Sequence, residues 1–174
     1  GKVSEAGCQT FIVHSRNAVL KGLSPKENRD IPPLRYEVVK RLKQHFPHLQ
    51  IILNGGITTV EAIQTHLQWA DGCMIGREAY SNPWLLAGFD ELIGKPTEVK
   101  TRFDVIDELR DYAERELTKG ESIRNITKSW LGLFHGQPGG RLYRQVLSDS
   151  TLLKANNWKV VEDALAKMAK HAIA

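Results

Sequence analysis

Two short apolar runs that each end in glycine are the feature that most constrains how this chain can fold. Residues 51–57 read IILNGGI, and residues 72–77 read GCMIGR. Apolar runs of this length, bounded by turn residues, are typical of buried strands. A third run, TFIVHSR at residues 10–16, has the same character. The sequence therefore predicts three strands.

The segments between these runs predict helices and one long loop. Residues 34–46 carry apolar side chains at helical spacing, and Thr58 and Glu61 have the spacing of a capping box at the start of a second helix. Residues 17–33 are polar and contain three prolines, which predicts a loop. Apolar strands that alternate with helices belong to a parallel sheet covered by helices, so the fold class is α/β in this half.

The pattern changes at about residue 97, where four apolar stripes with helical spacing begin and no further strand is indicated. The carboxyl half therefore resembles a helical bundle. We expect one domain over residues 1–94 and a helical domain over residues 95–174, joined by GKPTE at residues 94–98. The four stripes cover residues 103–117, 123–134, 142–147 and 158–172.

Composition narrows the class of protein only slightly. A net charge of +4 and a pI near 9.1 permit an anionic partner without requiring one. The two cysteines form no CxxC pair, which suits a reducing compartment and predicts a cytoplasmic protein. We expect no membrane span and no metal site, and the residues indicate no particular protein partner. The chain begins with GKVSEAGC, which has neither an initiator methionine nor the apolar core of a signal peptide.

The residues that follow the second and third strands suggest a phosphate site. Parallel α/β sheets bind ligands beyond the carboxyl ends of their strands. Asn54, Gly55 and Gly56 end one strand, and Gly76 and Arg77 end the next. Glycine lets backbone N–H groups approach phosphate oxygens, and arginine adds a forked positive charge. Any turn between a strand and a helix favours glycine, but two consecutive turns with Asn and Arg attached favour a phosphate site.

His14 and Arg16 end the first strand and would reach the same end of the sheet. A histidine in this position, taken alone, more often makes a structural hydrogen bond than contacts a ligand. The two glycine turns predicted beside it make a ligand contact the better explanation. Together with the two glycine turns, His14 fits what a phosphate-bearing cofactor needs, without saying which cofactor it is.

Three segments of the chain resemble the tRNA-dihydrouridine synthases. They read VHSRNAVLKGLSPKENRDIPPLRY, LNGGI and DGCMIGREAYSNPWLL, and the LSPKENR loop resembles the A-type bacterial subfamily in particular. The resemblance runs over nearly the whole chain. It implies a TIM (β/α)8 barrel that binds FMN, followed by a helical domain. It also implies that uridine in the tRNA D-loop (U20/U20a for the A-type) is reduced to 5,6-dihydrouridine, with NADPH as reductant.

The same resemblance assigns roles to individual residues. It places FMN contacts at His14, Asn54, Gly55, Gly56, Gly76 and Arg77, and tRNA contacts at Lys26, Arg29, Arg141 and Arg144.

Charge supports an RNA partner independently of the resemblance. Residues 16–43 hold eight Lys or Arg against three acidic residues, and residues 119–144 hold five against one. Such patches can hold the backbone of a polyanion without reading its bases. Arg141 and Arg144 share one helix face, which suits adjacent phosphates. For any single basic residue, a solvated surface is an equally good explanation.

The catalytic part of the family pattern is absent from this chain. In the family a cysteine in an NPGCP-like motif protonates uridine C5, and a lysine of the middle strands touches the flavin. Neither motif is present, and Cys8 and Cys73 are best explained as small core residues. Three strands are predicted where a closed barrel has eight. We therefore expect a carboxyl-terminal piece, strands 6 to 8 plus the helical domain, with no catalytic residue and no activity of its own.

Two other functions are compatible with the residues. A non-redox TIM-barrel isomerase or lyase acting on a sugar phosphate would use the same NGG and GR turns, although the paired arginines of the helical half have no obvious use there. The chain could instead be a stand-alone RNA-binding module. Against that alternative, three parallel strands alone would leave an open sheet edge, which invites aggregation.

Overall fold

A computed structural model describes residues 1–95 and 100–172 of the chain. Two compact units are formed, the first over residues 1–76 and the second beginning at Arg77. The short helices that follow the third strand belong to the second unit, because Trp84 packs on its hydrophobic core. The domain boundary after residue 94 stays a prediction, and residues 96–98 of the GKPTE linker lie outside the described part of the chain.

The first unit is built on a parallel sheet, which confirms the three predicted strands. Its strands are β1 (Thr10–His14), β2 (Gln50–Asn54) and β3 (Gly72–Met74). They pair in the order β1-β2-β3. The third strand is shorter than the apolar run at residues 72–76 that predicted it.

Three helices accompany the strands of the first unit, and α3 begins one residue later than predicted. Thr59, not Thr58, is its N-cap, and the Thr59 side-chain oxygen accepts a hydrogen bond of 3.1 Å from the Ala62 N–H. The extended backbone of Thr59 is the conformation that an N-cap requires, so the predicted cap was wrong. The helices are α1 (Lys2–Glu5), α2 (Tyr36–His45) and α3 (Val60–Leu67).

The two faces of the sheet are buried to very different extents. Ile51 and Leu53 of β2 are 1 % and 0 % exposed, on the face that α2 covers through Val39. On the opposite face, Ile12 is 58 % exposed and Met74 is 43 % exposed. Parallel sheets are normally buried on both faces. One face of this sheet therefore leaves apolar side chains uncovered.

A polar cluster joins the elements at the amino end of the sheet. The Lys43 ammonium lies 2.8 Å from the Asp71 carboxylate, which also accepts a 2.7 Å hydrogen bond from the Ile51 N–H. Lys43 donates in addition to the carbonyl oxygens of Pro47 and Leu49. The Ile51 N–H, and then Lys43, hold the pKa of Asp71 below the usual range of an aspartate. The cluster ties the end of α2 to the starts of β2 and β3.

The described residues of the second unit form helices and helical turns only. The apolar stripe over residues 123–134 was predicted as one helix, and this prediction was wrong because the chain turns after Trp130. Gly132 there lies so close to the Ser81 carbonyl that an added Cβ would overlap its oxygen. The helices are α4 (Arg77–Ser81), α5 (Phe89–Leu92), α6 (Arg102–Thr118), α7 (Ile123–Thr127), α8 (Gly140–Val146) and α9 (Lys159–Ala172).

These helices enclose one continuous hydrophobic core that runs from Ile106 to Met168. Tyr143 of α8 is fully buried in it and packs against Phe134, with ring centroids 4.7 Å apart. Among the described residues of either unit, no helix has both the length and the apolar character that crossing a lipid bilayer requires.

Candidate functional site

The sheet places two predicted site residues side by side. His14 is the last residue of β1, Asn54 is the last residue of β2, and the two are paired in register. Met74 lies on the other side of Asn54. The carboxyl end of the sheet therefore brings together His14, Asn54 and the glycine turn that follows β2, as predicted from the position of each residue at the end of its strand.

The turn after β2 requires glycine at both positions. Gly55 and Gly56 have φ angles of +116° and +69°, which side-chain-bearing residues rarely adopt. A Cβ on Gly55 would also lie 2.9 Å from Ser15 Oγ and 3.1 Å from His14 Cε1. A side chain at position 55 would therefore collide with Ser15 and His14.

Two residues that the sequence analysis did not single out hold this turn in place. The N–H and the hydroxyl of Ser15 both donate to the Asn54 carbonyl, at 2.8 and 2.9 Å, and the Tyr36 hydroxyl donates to the Gly55 carbonyl at 2.8 Å. Burial raises the pKa of the Tyr36 phenol, although Arg16 nearby works in the opposite direction, so the phenol stays a donor at neutral pH. In the sequence, the role of Ser15 was indicated by its position directly after a histidine that ends a strand.

The backbone orients the imidazole of His14. Its Nδ1 accepts a hydrogen bond of 3.1 Å from the Arg16 N–H. In a neutral ring, the nitrogen that accepts carries no proton, so the proton of neutral His14 resides on Nε2. His14 is therefore set as a donor through Nε2.

Arg16 adds a positive charge close to the same turn. Its Nε donates to the Pro32 carbonyl at 2.7 Å. Its Nη1 atom is buried and has no hydrogen-bond partner among the residues that the structure describes. A guanidinium has five N–H donors, so Arg16 retains the capacity to donate to a further acceptor.

Gly76 and Arg77 stand where the chain passes from the first unit to the second. Gly76 is exposed, with open space where a Cβ would lie, and Arg77 is the first residue of α4. Unlike Gly55, Gly76 is not required by packing in this chain. That Gly76 and Arg77 act together with His14 and Asn54 stays a prediction.

The predicted RNA contacts lie in two separate places. Lys26 and Arg29 are exposed on a 3₁₀ turn in the long loop between β1 and α2. Arg141 and Arg144 are exposed on α8, whose opposite face buries Tyr143. The predicted spacing of one helical turn between the two arginines is present, although their role stays a prediction.

Both cysteines are reduced, and Cys73 does not have the lowered pKa of a nucleophilic thiol. Cys8 and Cys73 are half-buried and free. Burial raises the pKa of the Cys73 thiol, which keeps it protonated at neutral pH. Within the described residues, no group of three His, Cys, Asp or Glu side chains is arranged to hold a metal ion.

Residues 1–171 match the family model described as dihydrouridine synthase (Dus). The chain belongs to the dihydrouridine synthase family. Proteins called tRNA-dihydrouridine(20/20a) synthase are similar over almost its whole length. The one from Pseudomonas aeruginosa is 49 % identical over 170 residues, which are 97 % of this chain and 51 % of that protein. Those from Pseudomonas syringae pv. tomato and Synechocystis are 50 % and 49 % identical, over 96 % and 94 % of this chain and 50 % and 49 % of their own lengths.

The resemblance to the tRNA-dihydrouridine synthases, based on three segments of the sequence, is thereby confirmed. The chain spans about half the length of the curated relatives it matches. Because the match extends through the helical half, it weighs against the sugar-phosphate isomerase or lyase, which shares only the glycine turns.

Proposed function

We propose that this chain is the carboxyl-terminal part of an FMN-dependent tRNA-dihydrouridine synthase that reduces U20 and U20a of the tRNA D-loop with NADPH. The observation that carries the proposal is the similarity to the tRNA-dihydrouridine(20/20a) synthases, which covers the sheet unit and the helical unit alike. The cytoplasm is the proposed location, since two free cysteines suit a reducing compartment.

The uncovered sheet face supports a barrel. We assign β1, β2 and β3 to strands 6 to 8 of a TIM (β/α)8 barrel, with residues 95–174 as the helical tRNA-binding domain. In a closed barrel, side chains on the inner face fill the interior in layers. Ile12 and Met74, which are exposed in this chain, would then be covered by the remaining strands.

The carboxyl end of the sheet fits a flavin. His14 is set as a donor, Gly56 of the neighbouring glycine turn is exposed, and Arg16 has a guanidinium nitrogen without a partner among the described residues. When bound, FMN supplies the hydride that uridine C6 receives. The residues proposed to hold it are His14, Asn54, Gly55, Gly56, Gly76 and Arg77.

The chain's own contribution is binding and orientation. Lys26, Arg29, Arg141 and Arg144 are proposed to hold tRNA phosphates, while the proton for uridine C5 is proposed to come from a cysteine of the remaining part of the enzyme. Basic side chains of this kind fix the register of an RNA but carry little sequence information.

The test uses the longer protein, at the length of its relatives, and an unmodified tRNA transcript. The purified protein should be yellow and should form dihydrouridine when NADPH is added. Arg77→Ala should weaken FMN binding on the order of tenfold or more, the effect of losing one charge-assisted hydrogen bond. Arg124→Ala, an exposed arginine outside the proposed site, is the matched control. A colourless protein that binds sugar phosphates would contradict the proposal.

A further inference from the structure

The loop between β1 and α2 is long, yet it is organised around one side chain. Asn28 is half-buried, whereas Lys26 and Arg29 on either side of it are exposed. The Asn28 Oδ1 atom accepts from the Val19 N–H at 2.6 Å, and its Nδ2 atom donates to the Val19 carbonyl at 3.0 Å. One side chain thus pairs with both backbone groups of a residue nine positions earlier.

The same amide group reaches the turn that carries the basic residues. Its Nδ2 atom also lies 3.3 Å from the carbonyl oxygens of Leu23 and Ser24. An asparagine amide has two donor hydrogens and an acceptor oxygen, and the bonds that Asn28 makes through both its nitrogen and its oxygen lie within the loop. Asn28 therefore ties the first part of the loop to the turn.

Ser24 and Glu27 close the turn itself. The Ser24 N–H donates to Glu27 Oε2 at 2.7 Å, and the Glu27 N–H donates to Ser24 Oγ at 3.3 Å, which is the reciprocal pattern of a capping box. Side chains three residues apart on a 3₁₀ turn project from the same side. Lys26 and Arg29 have this spacing, so the turn presents both cations together.

We propose that Asn28 is a positioning residue for RNA: it locks the loop in the shape in which Lys26 and Arg29 meet tRNA phosphates. The inference rests on the proposed function, because it assumes that these cations contact tRNA. Contacts made by an ordered loop lose less conformational entropy on binding than those made by a mobile one. Asn28 contributes to affinity in this way without touching the RNA.

The experiment compares Asn28→Ala with Lys26→Ala in the longer protein, using an unmodified tRNA transcript over a range of salt concentrations. Asn28→Ala should weaken binding on the order of 5- to 20-fold with little change in the salt slope, because both cations remain. Lys26→Ala should lower the slope by about 0.7 to 0.9, the loss of one phosphate contact. Asn17→Ala, an exposed asparagine of the same loop, should change neither quantity.

Hydrogen exchange at the Val19 amide, measured without RNA, distinguishes a positioning role of Asn28 from a direct contact with RNA. Asn28→Ala should speed that exchange roughly tenfold or more, because the amide loses its acceptor, whereas Lys26→Ala should leave it unchanged. Weaker tRNA binding with unchanged exchange would make Asn28 a direct contact and overturn the positioning role. Unchanged tRNA binding by Asn28→Ala would overturn it while leaving the proposed function intact. If the unsubstituted protein did not bind tRNA, both the positioning role of Asn28 and the proposed function would be overturned.

Discussion

The helical unit and the sheet unit differ in how completely each buries its own apolar side chains. In the helical unit, Tyr143 is fully buried within a core that its own helices enclose. In the sheet unit, Leu53 is equally buried on one face, but Ile12 and Met74 are exposed on the other. A helix needs cover along one stripe, whereas a parallel strand needs cover on two faces. The sheet is therefore the element that has one incompletely covered face.

The largest effect is expected from a substitution in the helical core. Tyr143→Ala should lower the free energy of unfolding of the helical unit by about 3–5 kcal/mol, as for other large aromatic truncations. Denaturant unfolding followed by tryptophan fluorescence measures this, because Trp130 and Trp158 lie in the same core. A loss below about 1 kcal/mol would mean that the helical unit does not close its own core.

The hydroxyl of Tyr143 provides the matched control. It is buried without a hydrogen-bond partner among the described residues, and burial raises its pKa strongly. A buried hydroxyl without a partner is destabilising. Tyr143→Phe should therefore unfold at the same denaturant concentration as the unsubstituted chain or at a higher one.

A substitution on the uncovered sheet face should affect this chain and the longer protein differently. Ile12→Thr should change the stability of this chain by less than about 0.5 kcal/mol, because Ile12 is exposed. In the longer protein it should lower stability by about 1–3 kcal/mol, since a buried methyl is lost and a hydroxyl is buried. Leu53→Ala is the control, and it should be destabilising in both. Equal, small effects of Ile12→Thr in both would contradict a covered face.

Substitution of Gly55 in the glycine turn should destabilise the chain more than substitution of the exposed Gly76. Gly55→Ala places a Cβ at positive φ and against Ser15 and His14, so we expect a loss of about 1–2 kcal/mol and a shifted His14 NMR signal. Gly76→Ala, which has open space, should leave thermal unfolding of the chain unchanged. A tolerated Gly55→Ala would show that the turn does not hold this conformation.

The smallest effect is expected at the amino end of the sheet, from Asp71. Because its pKa is lowered in the folded chain, its contribution to stability is present above the pKa of an unfolded aspartate and disappears as the pH falls through the lowered value. At pH 7 the free energy of unfolding of the unsubstituted chain should exceed that of Asp71→Asn by less than about 1 kcal/mol, and the difference should disappear as the pH falls below the ordinary range of an aspartate.

The sequence predicted the strands and the meeting of His14 with Asn54, because the last residues of neighbouring parallel strands must lie at one end of a sheet. It did not predict the roles of Tyr36 and Asn28. Each is a polar residue whose partner is a backbone group brought near by the fold, and spacing along the chain carries no signal for such a pair. The helix predicted over residues 123–134 ends at Thr127, and Gly132 beyond it is in close contact with Ser81, a residue distant along the chain that an apolar stripe does not indicate.

In the proposed synthase, the flavin site of the sheet unit is complete only together with the remaining strands of the proposed barrel. The most direct measurement is flavin absorbance of this chain and of the protein extended to the length of its relatives, each purified in the presence of FMN and then given NADPH and unmodified tRNA. We expect bound flavin and dihydrouridine only with the longer protein. Stoichiometric flavin on this chain alone, or none on either protein, would contradict the claim.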